Sequence, residues 1–184
     1  MNFISQSIPE VFLIEPIIHK DIRGYFVETF KQASFNEAIG YQVDFVQDNE
    51  SKSISRGVLR GLHFQSFPYT QGKLVRVISG KVLDVAVDLR RNSKTFGHHV
   101  AIELSEENKK QLFIPRGFAH GFVVLSDSAT ISYKVDEYYA AEHNEGIAYN
   151  DPHINIDWGF SDSEIILSEA DKNYPTLENS DKLF

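Results

Sequence analysis

The chain contains no cysteine. Disulfides, thiolate metal sites and a cysteine nucleophile are therefore excluded. It has no apolar run of the roughly 18 residues a membrane-spanning helix needs. Neither G-x-G-x-x-G nor a Walker loop occurs, and the nucleophile elbow G-x-S-x-G is also missing. These absences argue against a nicotinamide enzyme, a P-loop enzyme and an α/β-hydrolase. Positive charge is in short supply: 18 Lys and Arg face 26 Asp and Glu, a formal net charge of −8. An acidic protein of this kind is a poor general binder of nucleic acid. The stretch from Met1 to Gln6 has neither the basic region nor the apolar core of an export signal, so a cytoplasmic location is expected.

What is present is enough apolar material for a core. The 184 residues, 42% of them hydrophobic, suit one domain spanning 1–184. The dominant pattern is short apolar alternation broken by turn residues, the mark of half-buried strands. It predicts strands at Val11–Glu15, Tyr25–Phe30, Val43–Gln47, Gly57–Gln65, Lys73–Ser79 and Lys81–Leu89. Further strands are predicted at Gly97–Leu104, Gln111–Ile114, Gly121–Leu125, Ala129–Val135 and Gly146–Tyr149. Ser79-Gly80-Lys81 reads as a tight hairpin turn. One helix is expected over Lys31–Ile39 with Gly40 as its stop. Ser168 is read as the cap of a short helix carrying Glu169, Ala170 and Asp171, and the polar tail from about Leu177 is expected to fray. The class implied is all-β, a sandwich or barrel with a few short helices.

The most informative stretch is Gly57-Val58-Leu59-Arg60-Gly61-Leu62-His63-Phe64-Gln65, followed by Gln71-Gly72-Lys73-Leu74-Val75-Arg76. Between Lys52 and Arg76 lie Lys52, Arg56, Arg60, Lys73 and Arg76 and no acidic residue. A local cationic excess in an acidic protein hints at an anionic ligand, against the plainer reading of a solvated basic face. Parity raises a question. Residues two apart on a strand share a face, so Arg60 and His63 point to opposite sides unless a bulge intervenes, and Gly61 is the place for one.

A second motif is Pro115-Arg116-Gly117-Phe118-Ala119-His120-Gly121-Phe122, a bend that leads His120 into an apolar strand. A lone histidine there is more often structural than catalytic. Its weight rises because His63 also interrupts a strand, and neighbouring strands can gather such groups at a barrel mouth. A metal is not expected. Two positions after His63 stands Gln65 where a His-x-His pair would continue, and the three protein ligands of a catalytic zinc are not supplied. Tyr133 on its strand is either core packing or a proton donor beside a matched base. Asp171 is either a solvated cap or the partner that holds one histidine tautomer.

Taken in order, several segments resemble the dTDP-4-dehydrorhamnose 3,5-epimerases of deoxysugar biosynthesis. They are Asp21-Ile22-Arg23-Gly24-Tyr25-Phe26, Phe45-Val46-Gln47-Asp48-Asn49, the Val58–Gln65 and Gln71–Arg76 stretches, Asp84–Arg90, Pro115–Phe122 and Ile156-Asp157-Trp158. The resemblance implies a cupin-like jelly roll or β-barrel acting as a homodimer on a dTDP-linked 4-keto-6-deoxyhexose, without metal or redox cofactor. It implies His63 as base, Asp171 as its orienting partner, Tyr133 as acid and Lys73 as the cation beside the enolate oxygen. It places Arg23, Glu28, Gln47, Asn49, Arg60, His120 and Glu145 at substrate-binding positions, some of them reaching a partner subunit's site, and Tyr139 against the thymine ring. Relatives commonly carry Lys before the tail aspartate, where this chain has Ala170. Alternatives are an epimerase acting at one carbon, or on another nucleotide sugar, and a non-catalytic sugar-nucleotide-binding cupin. A metal-dependent cupin oxygenase is disfavoured by the missing ligands.

Overall fold

In a computed structural model describing Met1–Phe184, the alternating segments assemble into two sheets packed face to face. The first has six strands in the order β1-β2-β10-β7-β12-β5, from Asn2–Ser5, Phe12–Glu15, Gln111–Ile114, Lys73–Ser79, Ala129–Val135 and Gln47–Ser53. The second has five in the order β13-β6-β11-β8-β9, from Asn144–Gly146, Leu59–Gln65, Phe118–Val124, Lys81–Asp88 and His99–Ser105. A separate hairpin pairs β3, Ile18–Asp21, with β4, Gly24–Val27. Neither sheet closes on itself, so the expected all-β, cupin-like class takes the form of an open sandwich rather than a closed barrel.

Three apolar clusters hold these layers. Val75, Val77, Val82, Ala86, Leu112, Phe118, Phe122 and Ile131 fill the space between the sheets. Leu62, Phe64, Val85, Val123, Ile154 and Trp158 cover the far face of the second sheet. The far face of the first sheet packs on the one α-helix, α1, Gln32–Ile39. Phe35 and Ile39 are four residues apart, hence on one helix face, and both are buried. Gly40, at φ 83, closes the helix in the left-handed region and donates its N–H to Asn36 O. β11 is central and covered on both faces, which is why every residue of Phe118–Val124 is buried.

Several expectations are corrected. Ser79-Gly80-Lys81 is not a hairpin. β7 pairs with β10 and β12, β8 with β11 and β9, and Gly80 carries the chain from one sheet to the other. Val43–Gln47 is not a strand. Val43 packs in the cluster under α1, and the ladder begins at Gln47, where β5 pairs with β12. The sequence of β5, QDNESKS, carries no apolar residue, so alternation of hydrophobicity could not reveal it. β1 and β3 were likewise not anticipated, and the expected Tyr25–Phe30 strand shortens to β4. The tail does not fray: Leu177 is buried, Phe184 packs on Phe64, and Arg91 N–H donates to Phe184 O at 2.7 Å. The short turn of 3-10 helix near the tail spans Asp171–Asn173, so Asp171 opens it instead of lying inside it.

Candidate active site

The parity question is settled by a bulge in β6. His63 lies opposite His120, but Arg60 lies opposite Phe122, so three residue steps on β6 match two on β11. The extra residue brings Arg60 and His63 to the same face, the one between the sheets. Glycine is required at the bulge. Gly61 sits at φ +128, and a Cβ there would stand 2.5 Å from Gly121 Cα and 2.8 Å from His120 O.

Around this face a cavity of about 270 Å³ is lined by Gln47, Asn49, His63, Gln65, Gln71, Lys73, Tyr133, Tyr139 and Asn144, together with Phe64. Its contributors come from both sheets: β5 and β12 lie directly paired, with Asn49 opposite Tyr133, and β6 faces them. Six residues singled out by sequence, His63, Lys73, Tyr133, Gln47, Asn49 and Tyr139, thus meet at one mouth.

His63 Nε2 and Asp171 Oδ1 are 2.6 Å apart, joining residues far separated in the chain. Asp171 is buried, and Ser168 Oγ accepts its backbone N–H. Burial by itself pushes the Asp171 carboxyl up, but the hydrogen bond and charge of His63, aided by Ser168, outweigh it and hold the carboxyl below its ordinary range. An ionised Asp171 accepts from Nε2–H and leaves the lone pair of a neutral His63 ring on Nδ1. The Tyr174 ring meets His63 edge-on at 5.6 Å. Gly146 makes room for it, since a Cβ there would lie 2.6 Å from the Tyr174 ring.

Lys73 is buried and donates to His63 O at 3.3 Å. Burial lowers its ammonium from the ordinary 10.5 to about 8, with Asp84 opposing part of that shift. The Tyr133 hydroxyl is pushed up by burial, with Arg60 pulling the other way, so it keeps its proton at neutral pH. Arg60 is braced by Ser53 Oγ at 3.1 Å and Lys52 O at 3.2 Å. His120 Nε2 lies 2.8 Å from Asp84 Oδ1, both buried, while Asp84 Oδ2 has no partner.

Other sequence candidates fall elsewhere. Arg23 is exposed on the β3–β4 hairpin, paired only with Asp21, and Glu28 directly follows that hairpin. Glu145 is 3.8 Å from Lys182 and does not line the cavity. The basic segment does not act as one patch. Lys73 is buried at the cavity, Arg60 is exposed beside a neighbouring groove that it shares with His63, Arg56 stacks on Phe160, and Arg76 lines a groove with Gln111 and Ser132 on the outer face of the first sheet. Tyr174, Asn144 and Asp84 were not anticipated. Asp84 lay within a segment of the family resemblance, whereas nothing local distinguishes Tyr174 or Asn144. No group of three or more His, Asp or Glu is placed to hold a metal ion.

Residues 5–179 match the family model described as dTDP-4-dehydrorhamnose 3,5-epimerase. The chain is 52% identical over 178 residues to the dTDP-4-dehydrorhamnose 3,5-epimerase of Escherichia coli (strain K12), covering 97% of this chain and 95% of that one. Among solved structures it is similar to the dTDP-6-deoxy-D-glucose-3,5-epimerase of Legionella pneumophila in complex with dTDP-4-keto-L-rhamnose. That likeness has a TM-score of 0.94 at 48% identity and covers 98% of this chain and 94% of that one. The dTDP-4-dehydrorhamnose 3,5-epimerase of Elizabethkingia anophelis gives a TM-score of 0.93 at 48% identity, covering 98% of each chain.

Proposed function

The chain belongs to the dTDP-4-dehydrorhamnose 3,5-epimerase family, and on that premise we propose that it inverts carbons 3 and 5 of dTDP-4-dehydro-6-deoxy-D-glucose, giving dTDP-4-dehydro-L-rhamnose. Both carbons flank the C4 ketone, and their C–H bonds are acidic because the carbanion delocalises onto the ketone oxygen. The reaction therefore needs a base on one face of the ring, an acid on the other and a cation beside the developing enolate. No step changes an oxidation state overall. His63 takes the proton through the nitrogen that Asp171 leaves free. Lys73 stabilises the enolate oxygen, and Tyr133 returns a proton from the opposite face. Arg60 offers a fork of N–H donors to the pyrophosphate. Gln47, Asn49 and His120 hold the substrate, Glu145 approaches it from the edge of β13, and Tyr139 stacks on the thymine. The observation that carries this reading is the 2.6 Å His63–Asp171 pair on the same interior face as Lys73 and Tyr133.

A homodimer is part of the proposal. β5 ends its sheet with an unpaired edge, and the β3–β4 hairpin pairs with no other strand while exposing Ile22, Tyr25 and Phe26. A second copy's hairpin set against this edge would cover both and carry its Arg23 and Glu28 toward the neighbouring mouth. A monomer in light scattering at micromolar concentration overturns this part. No helix is long and apolar enough to cross a membrane, and nucleotide-sugar chemistry fits a cytoplasmic location.

The test is proton exchange. The protein is incubated with dTDP-4-dehydro-6-deoxy-D-glucose in deuterated water and the label located by NMR. Deuterium at both carbons is the expected result. Label at one carbon selects a single-site epimerase, and no label removes this sugar as substrate.

A further inference from the structure

The segment from Glu137 to Ala140 leaves β12 for a short 3-10 turn and has no ladder of its own. Its backbone polar groups must still find partners or face water. Three glutamine side chains supply those partners. Gln71 Nε2 donates to Glu137 O at 2.7 Å. Gln65 Nε2 donates to Tyr138 O at 3.1 Å, and Gln65 Oε1 accepts from Ala140 N–H at 2.7 Å. Gln47 Oε1 accepts from Tyr139 N–H at 3.2 Å. Four consecutive residues are thus gripped through their main chain. Gln65 is buried, and its Nε2 also donates to Tyr69 O at 2.7 Å, joining the 66–70 loop to the same latch. The Tyr139 side chain, 59% exposed, is left standing at the cavity rim.

Glutamine suits this task because its amide both donates and accepts. A loop held by its backbone keeps its side chain available without being ordered again at binding, which lowers the entropy lost when ligand arrives. We propose that Gln65 and Gln71 are positioning residues: they latch the 137–140 loop so that the Tyr139 ring stands preorganised at the mouth as a stacking platform for a nucleobase. This rests on the reading above that the mouth receives a dTDP-sugar.

Three variants test it: Gln65→Ala, Gln65→Glu and Gln71→Ala. Gln65→Glu can still accept from Ala140 N–H but sets an oxygen against two carbonyls. Gln71→Ala removes one bond that comes from the loop before β7 and so guards against a misfolded Gln65 variant. The first readout is backbone amide exchange at Tyr139 and Ala140 without ligand, which all three variants should accelerate. The second is dTDP binding by titration calorimetry. It should weaken about tenfold for the Gln65 variants, the order of one lost stacking contact, and about threefold for Gln71→Ala. In a Tyr139→Ala background, Gln65→Ala should weaken binding no further, because its effect passes through that ring. An equal loss in that background overturns the proposal, as does unchanged amide exchange. If the native protein binds no dTDP, the proposed function fails, and amide exchange still decides whether the latch exists.

Discussion

Two histidine–aspartate pairs lie side by side in this sandwich, and they have different surroundings. His63 and His120 are directly opposite each other on β6 and β11. Each contacts a carboxylate through Nε2, at 2.6 Å for Asp171 and 2.8 Å for Asp84. The His63 side chain is 33% exposed at the mouth, while that of His120 is 10% exposed and Asp84 is sealed at 0%. Asp171 is brought in by a C-terminal turn, whereas Asp84 sits on the strand adjacent to His120. The difference teaches that a His–Asp contact does not by itself make a proton-transfer site. The mouth pair faces a cavity beside a buried ammonium and a tyrosine. The inner pair is a buried polar contact that fixes the His120 ring for the substrate-holding role proposed above, and the charge of its carboxylate acts on Lys73.

If this contrast holds, the two pairs respond oppositely to substitution. His63→Asn should reduce deuterium incorporation by about 10³-fold, within the range general base catalysis contributes, while the urea midpoint barely moves. An activity loss under tenfold would break the contrast at its strongest point. Gly61→Ala should damage both properties. Its Cβ collides with the backbone at Gly121 and His120, so roughly 2 kcal/mol of stability and about 10²-fold in activity should be lost as the bulge that aligns Arg60 and His63 is displaced. Asp84→Asn should lower unfolding free energy by about 2 kcal/mol, the scale of a buried charged hydrogen bond, measured by urea denaturation. Asp171→Asn should cost less stability and about 10²-fold in turnover. Reversal of that order would show that the inner pair is the chemical one.

The smallest effect is on pH. Lys73 is held at about 8 against an ordinary 10.5. Turnover should therefore fall above pH 8, to about a tenth at pH 9, where roughly one Lys73 in ten keeps its proton. Stability should run the other way. Between about 8 and 10.5 the unfolded chain binds the proton that the folded chain has shed, so this group raises stability as pH climbs through that window. Turnover profiles and urea midpoints taken over the same pH range check both limbs.

Much of the site was legible because its residues interrupt otherwise apolar strands. His63 in Leu59–Gln65, Lys73 at the head of β7 and Tyr133 in Ala129–Val135 are polar or ionisable groups where alternation predicts core. β7, β10 and β12 were read at their true bounds because each is a short apolar-rich run flanked by polar or turn residues. β5 was invisible for the opposite reason: it is all polar and is a strand only because β12 offers it an edge. The Gly80 turn was misread because a tight turn carries no mark of which sheet the next strand will join. The tail was misread because its few apolar residues, Leu177, Leu183 and Phe184, are spaced among polar ones and find their cover only in the folded molecule.

The sequence carried the all-β class and the one helix with its glycine stop, which are properties of short periodic segments. Its ordered motifs carried the resemblance to the family, from which the proposed roles of His63, Lys73 and Tyr133 follow. Folding settled that Gly61 bulges β6 so that Arg60 joins His63, that the distant Asp171 stands 2.6 Å from His63 as the resemblance implied, and that Arg23 and Glu28 stand apart, on and just after the hairpin. These depend on register and on contacts between distant parts of the chain, which strand pairing settles and local sequence does not encode.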